Sequence, residues 1–483
     1  MTLSRPSIAA PGLVIDQRND DRPHEECGVF GIYAPGEDVA RLTFFALYAL
    51  QHRGQESAGI ATSNGSSIAL RSRLGLVAQA FTEEDLSDLR GGSAVGHTRY
   101  STSGANTACN VGPIRCESPV GPIVVAHNGN LTNAMALRTE LEHQGERFET
   151  STDSEVLTRL IARAAGADLV TKVRRAMPRM IGAYSLTILT TDRLVAVRDP
   201  LGVRPLCLGK LGDHWVVASE SCALATIGAS YEREVEPGEI VEINSQGMRS
   251  YPFDGQERHA MCLFELIYFA RPDSLLHGQR LHLVRQRMGE ELAAESGADA
   301  DIVVPLPDSA VPAAIGYARA SGIPYAEALI KNRYIGRTFI QPDQRLRDTG
   351  VSLKFNALPE VLAGKRVVLI DDTIVRGTTS RPIVQLLRQA GATEVHMRVH
   401  APPMMWPCYL GVDLAKREEL IAARMTVPEI GRFIGADSIG YLSLDGLLRA
   451  VDAPARGFCT GCLTGHYPVP VQMEMDKLML TRV

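Results

Sequence analysis

Three groups of residues in this chain have the types and spacing that chemistry requires. Cys27 stands directly before the strand-like run "CGVFGIY" and follows a leader of 26 residues. A cysteine there is either core filling or a nucleophile concealed until the leader is removed. Asp371 and Asp372 end the apolar run "RVVLIDD" and are followed by "TIVRGTTS" and the amphipathic "RPIVQLLRQAGA". In open α/β sheets ligands sit at the carboxyl ends of strands. Small hydroxyl residues and glycine at a helix N-terminus cradle phosphate through backbone N–H groups. The paired acids could then hold ribose hydroxyls and organise Mg²⁺. Cys459 and Cys462 form a C-x-x-C in "FCTGCLTG". That spacing alone suits a zinc half-site, a redox pair or two buried thiols.

The elements that must position these residues fall into two patterns. From 27 to about 250 short alternating runs such as "SAGIAT", "PIVVAHNG" and "AYSLTILTTDRLVAVRD" read as strands of layered sheets. Helical stretches interrupt near 38–52 and 153–165, the second capped by Thr152 or Asp153. This half is α+β with sheet on sheet. The polar "DGQERH" at 254–259 marks a boundary. Beyond it, solid apolar runs such as "DIVVPLPDS" and "EVHMRVHAP" alternate with helical runs, as in a parallel α/β sheet buried on both faces. "FCTGCLTGHYPVP" reads as non-helical.

Composition sets the limits. A chain of 483 residues is long enough for two domains. A net charge of −5 gives no general reason to expect nucleic acid binding. No apolar run is long enough to span a bilayer. The leader's best apolar piece, "IAAPGLVI", is broken by Pro-Gly and followed by the acidic "DQRNDDRPHEE", which suits neither a signal peptide nor a presequence. The expected location is cytoplasmic. Nine scattered cysteines argue against a secreted disulfide framework.

Around Cys27 stand "ALQHRGQESAGIA", "GHTRYST", "HNGNLTN" and "TSTDSE". Together they resemble the class II, N-terminal-nucleophile glutamine amidotransferases, over most of residues 27–240. The resemblance implies a four-layer αββα sandwich and a mature chain that begins at cysteine. The free α-amine, with an ordinary pKa of about 7.7–8.0, then serves as base for its own thiol. Met1 is the sole methionine before Met135, so loss of the initiator cannot expose Cys27. A propeptide of residues 1–26 is expected. By motif position, Cys27 attacks the glutamine amide, and Asn128 and Gly129 form the oxyanion hole. Arg99 grips the α-carboxylate and Asp153 receives the α-amino group. His97 and His127 are expected to be structural, since the base is already supplied.

The stretch 366–380 resembles the phosphoribosyl pyrophosphate (PRPP) motif of type I phosphoribosyltransferases. On that resemblance Asp371, Asp372, Thr373, Gly377, Thr378 and Thr379 bind PRPP, and Mg²⁺ sits at Asp371, Asp372 and Ser309. Asp308 and Ser309, after a strand and before a helix, look like the pyrophosphate loop. "KNRYIGRTFIQPDQRLRD", with Lys331, Arg333 and Arg337, reads as a basic lid over the leaving group.

The two halves in this order resemble the glutamine PRPP amidotransferase family, from Cys27 to about residue 467. Expected domains are 27–258 for the glutaminase, 259–455 for the phosphoribosyltransferase with its mainly parallel sheet, and a C-terminal segment 456–483. The resemblance implies glutamine and PRPP as substrates, 5-phosphoribosylamine as product, feedback by purine nucleotides and a homotetramer. Cys262 and Cys408 join Cys459 and Cys462 at positions matching the cluster-bearing branch. Four thiolates suit Zn²⁺ or [4Fe–4S]; the resemblance favours [4Fe–4S]. Other class II amidotransferases lack the second half read here. A PRPP-sensing regulator has no use for Cys27, Arg99, Asn128 and Asp153.

Overall fold

The computed structural model describes residues 27–100, 104–252, 255, 259–332, 354–414, 416–452, 457–471 and 480. The expected propeptide and the lid residues Arg333 and Arg337 lie outside them.

Alternation along the first strand, Gly28–Tyr33, shows how the first half is layered. Val29 points into a core shared with Val95, Val124, Ala126 and Leu208. Its neighbours Phe30 and Ile32 point the other way, onto Ala46, Leu47 and Leu50 in and after the helix Val39–Ala49. A strand's period of two sends successive side chains to opposite faces. Gly28–Tyr33 lies within a seven-stranded antiparallel sheet, between His214–Ala218 and Ser93–Arg99. A six-stranded antiparallel sheet faces it, with Gly121–Leu131 paired to Gly182–Leu189 and Ile114–Ser118. On its outer face Leu137, Val156, Leu160 and Val173, from three helices, cover Val125, Leu186 and Ile188. The layers are therefore helix, sheet, sheet, helix. Thr152 caps the helix Asp153–Arg163 by accepting from Glu155 N–H.

The second half centres on four parallel strands in the order Ile302–Pro305, Arg366–Asp371, Glu394–Val399, Ser438–Tyr441. Val303, Val368 and Ile370 belong to one core, whereas Val304, Val367 and Leu369 belong to another. Both faces are covered, which accounts for the unbroken apolar runs. The helices Leu281–Glu295 and Val311–Ser321 cross closely at Gly289 and Gly316. A Cβ on Gly289 would stand 1.9 Å from the Ala313 carbonyl, and one on Gly316 1.9 Å from that of Gln286.

The halves join through Met261–Cys262, which pairs in parallel with Phe458–Cys459 and is followed by the π-helical turn Glu265–Phe269. The C-x-x-C corrects one expectation: Gly461–Thr464 is a single helical turn, closed by Gly465 at φ +79°. Glycine at C′ supplies the left-handed conformation that ends the turn. Among the described residues no helix is long and apolar enough to cross a membrane.

Candidate functional site

Cys27 is buried at the end of the first strand, and its thiol donates to the Tyr100 carbonyl at 3.5 Å. Burial pushes the thiol up to about 11, with the nearby Arg99 cation pulling the other way. A thiol so placed is neutral near pH 7 and needs a base to become a nucleophile. Arg99 ends the adjacent strand and is itself buried, 3.9 Å from Glu56.

Asn128 lies on the facing sheet, fully buried, and among the described residues neither its Oδ1 nor its Nδ2 has a hydrogen-bond partner. Leaving a buried amide empty costs about 1–3 kcal/mol. Its neighbour Gly129 has φ +144°, and a Cβ there would lie 2.0 Å from the Ala183 carbonyl. Any side chain at 129 would therefore push the strand off its partner. Asp153 sits at the start of its helix, and its Oδ2 accepts from Leu131 N–H at 3.0 Å. The carboxylate is thus tied to the Asn128 strand.

The two histidines work as struts. His97 Nε2 lies 3.0 Å from the His127 carbonyl, which ties one sheet to the other behind the site. Burial pulls His97 down to about 3 and lowers His127 as well, so both rings are neutral near pH 7. Nε2 of His97 is then the donor.

The structure also gathers residues that the sequence did not single out. Arg53, inside "ALQHRGQESAGIA", donates from Nε to the Cys27 carbonyl at 3.3 Å. From the second half, the Tyr409 carbonyl accepts from Asn130 Nδ2 at 2.9 Å, and Gly411 packs against Gly129. The one signal available in the sequence was that Arg53 stands inside that motif; its polar neighbours Gln51, His52, Gln55 and Glu56 give no hint of burial.

At the second site Asp371 ends its strand and Asp372 begins the loop, both almost fully buried. Asp372 N–H donates to Asp371 Oδ1 at 2.8 Å, and Thr373 Oγ1 donates to Asp372 Oδ1 at 2.8 Å. Ser309 Oγ donates to the other oxygen of Asp372. The strand-to-helix loop at 306–310 therefore meets the acidic pair. Lys331 Nζ lies 2.8 Å from Asp308 Oδ2 on an open cleft with Tyr325 and Glu327. The loop Thr373–Thr379, turned by Gly377 at φ +76°, leads into the helix Ser380–Gln389. Two carboxylates and a hydroxyl leave room for a cation that keeps waters and takes phosphate oxygens, which is how Mg²⁺ is usually held. Arg333 and Arg337 lie outside the described residues.

Cys262, Cys408, Cys459 and Cys462 line one pocket, together with Arg204, Phe264, Leu410 and Tyr467. Cys262 and Cys459 are register partners, and Leu410 N–H donates to Cys408 Sγ at 3.3 Å. None of the nine cysteines is in a disulfide. Among the described residues no group of three or more Cys, His, Asp or Glu is placed to hold a metal ion. The four thiols share one cavity, and a set of four thiolates has the chemistry for either Zn²⁺ or an iron–sulfur cluster.

Residues 97–226 match the glutamine amidotransferase domain family, and residues 273–402 match the phosphoribosyl transferase domain family. The chain is 51% identical over 471 residues to an amidophosphoribosyltransferase of Synechococcus elongatus, covering 96% of each chain. To that of Bacillus subtilis it is 47% identical, covering 93% of this chain and 96% of the relative.

The chain belongs to the amidophosphoribosyltransferase family.

Solved structures agree over both halves. A glutamine PRPP amidotransferase from B. subtilis, complexed with ADP and GMP, superposes with a TM-score of 0.88 at 46% identity, covering 93% of this chain and 99% of that one. A structure described as the allosteric regulatory enzyme of purine biosynthesis gives 0.89 at 46% identity, with 93% and 98% covered. The family fold, a glutaminase domain followed by a phosphoribosyltransferase domain, is the one described above.

Proposed function

We propose that this amidophosphoribosyltransferase takes ammonia from glutamine and transfers it to PRPP, the first step of purine biosynthesis. The observation that carries this reading is one chain matching both halves at about half identity over nearly its whole length. The empty amide of Asn128 supports the placement of the first site.

In the processed chain the α-amine of Cys27 takes the thiol proton, and Sγ attacks the amide carbon of glutamine. Asn128 Nδ2 and the Gly129 N–H receive the developing oxyanion, a contact worth a few kcal/mol per donor in acyl transfer. Arg99 pairs with the substrate α-carboxylate in the planar fork a guanidinium offers, and Asp153 takes its ammonium. The C–N bond breaks, the amine returns its proton to the leaving ammonia, and water hydrolyses the thioester to glutamate. At the second site ammonia attacks the anomeric carbon of PRPP and pyrophosphate leaves. Asp371, Asp372 and Ser309 would hold Mg²⁺, which supplies charge neutralisation to the leaving group. Asp308, Lys331, Arg333 and Arg337 would attend the pyrophosphate. Thr373, Gly377, Thr378 and Thr379 would cradle the 5-phosphate. Cys262, Cys408, Cys459 and Cys462 would hold a [4Fe–4S] cluster that pins the C-terminal segment to the domain junction. Removal of residues 1–26, a homotetramer and purine-nucleotide binding complete the reading.

The test is phosphoribosylamine formation by processed chain supplied with glutamine, PRPP and Mg²⁺. Cys27→Ser should abolish the glutamine-dependent reaction and spare the ammonia-dependent one. Undiminished glutamine-dependent turnover in Cys27→Ser would sink the mechanism. Native mass spectrometry of anaerobic protein checks the leader and the cluster: a mature chain beginning at Cys27 and carrying the mass of Fe₄S₄ is expected.

A further inference from the structure

A set of buried charges lies at the domain junction, and the chemistry above does not use it. Arg53 is 1% exposed, and Arg204, Glu220 and Glu265 are fully buried. Glu265 opens the π-helical turn that begins the second half, whereas the other three belong to the first. Arg53 Nη1 is held by Glu220 and by Glu265 Oε2 at 3.1 Å, and its Nη2 by Glu265 Oε1. Arg204 approaches Glu265 at 3.6 Å while donating from Nε to the Leu410 carbonyl at 3.0 Å. On the far side of the same turn, Arg285 donates from Nε to the Leu266 carbonyl at 2.9 Å.

Two cations and two anions have been taken out of water here. Replacing such a buried ion network by well-packed apolar side chains of similar volume is often neutral or stabilising. Stability alone therefore does not explain the arrangement, and geometry offers a reason. A carboxylate facing both Nη atoms fixes the plane of a guanidinium. That plane decides where Nε points, and Nε of Arg53 points at the carbonyl of Cys27. The carbonyl carbon is bonded to the Cα that carries both the thiol and, after processing, the amine.

We propose that Glu265 is a positioning residue for the glutaminase reaction: supplied by the second domain, it orients Arg53, which holds the backbone of Cys27 in its productive geometry. The inference rests on Cys27 being the nucleophile. It makes the first site complete only when the two domains are packed together.

The experiment uses processed full-length enzyme and separates the two half-reactions. Glu265→Gln keeps the volume and removes the charge. It should lower kcat for glutamine hydrolysis by about 10²-fold, the scale of a misplacement near 1 Å, with KM for glutamine little changed and the ammonia-dependent reaction retained. Glu265→Asp withdraws the carboxylate by one methylene and should give a smaller kcat loss; it carries the test if the Gln variant does not fold. Arg53→Lys should lower kcat similarly, and adding it to Glu265→Gln should cost little more, because the two act as one unit. An unchanged kcat, a rise in KM alone, strictly additive losses, or equal loss of the ammonia-dependent reaction would each overturn the proposal. Cys27→Ser, run alongside, decides separately whether the underlying nucleophile is right.

Discussion

Asn128 holds a fully buried side-chain amide with no hydrogen-bond partner among the described residues, a cost that folding alone does not explain. The amide is predicted to act in the transition state: Asn128→Ala should lower glutaminase kcat by about 10²–10³-fold with KM for glutamine nearly constant. Steady-state kinetics on processed enzyme checks this. Residues of this kind were legible in the sequence because they stand in short motifs: Asn128 in "HNGNLTN", Arg99 in "GHTRYST", Asp153 in "TSTDSE". Arg53 and Glu265 were not legible as a pair. They are 212 residues apart, and no local pattern tells a buried arginine which acid will face it. The assignment of His97 and His127 to structure follows a similar logic. Both rings are buried and neutral near pH 7, and the His97 bond to a backbone carbonyl needs no charge.

At the scale of elements, periodicity carried the information. Alternation fixed the faces of Gly28–Tyr33, and unbroken apolar runs marked strands covered on both sides. The single turn Gly461–Thr464 escaped because four residues carry no helical period, and Cys, Gly and Thr favour no helix. The tight crossing of Leu281–Glu295 with Val311–Ser321 was equally hidden, since a glycine in a helical run reveals nothing of its neighbour. A carbonyl stands 1.9 Å from where each added methyl carbon would lie, so Gly289→Ala and Gly316→Ala should each force the helices apart. The gain in helix propensity, near 1 kcal/mol, should be outweighed by strain of about 1–3 kcal/mol. Urea unfolding of each variant should show a lower midpoint, and a raised midpoint would contradict the close crossing.

For the whole molecule, the buried groups set the pH range of stability. His97 is pulled from 6.5 to about 3, so the unfolded chain takes a proton there that the folded chain refuses. Stability should fall as pH drops from 6.5 towards 3, by up to about 1.4 kcal/mol per pH unit from this ring. Cys27 is pushed from 9.0 to about 11, and burial raises Cys207 too. The Cys27 contribution is full below pH 9 and is lost as pH rises towards 11, and Cys207 acts in the same direction. Chemical unfolding at a series of pH values should trace a plateau between about pH 6.5 and 9, with His97→Gln flattening the acid limb. If purine nucleotides bind as proposed, GMP or ADP at 100 times its Kd should add about 2.7 kcal/mol, read as a rise in Tm. The sharing of backbone at the junction has one more consequence. A Cβ added to Gly411 of the second half would lie 2.9 Å from the Gly129 backbone, and Asn130 donates to the Tyr409 carbonyl nearby. The glutaminase is therefore not a detachable cartridge. A chimera that moves residues 27–258 onto a foreign synthase would present the strand Gly121–Leu131 to a loop never shaped for it, with no glycine assured where Gly411 now lets the two backbones meet.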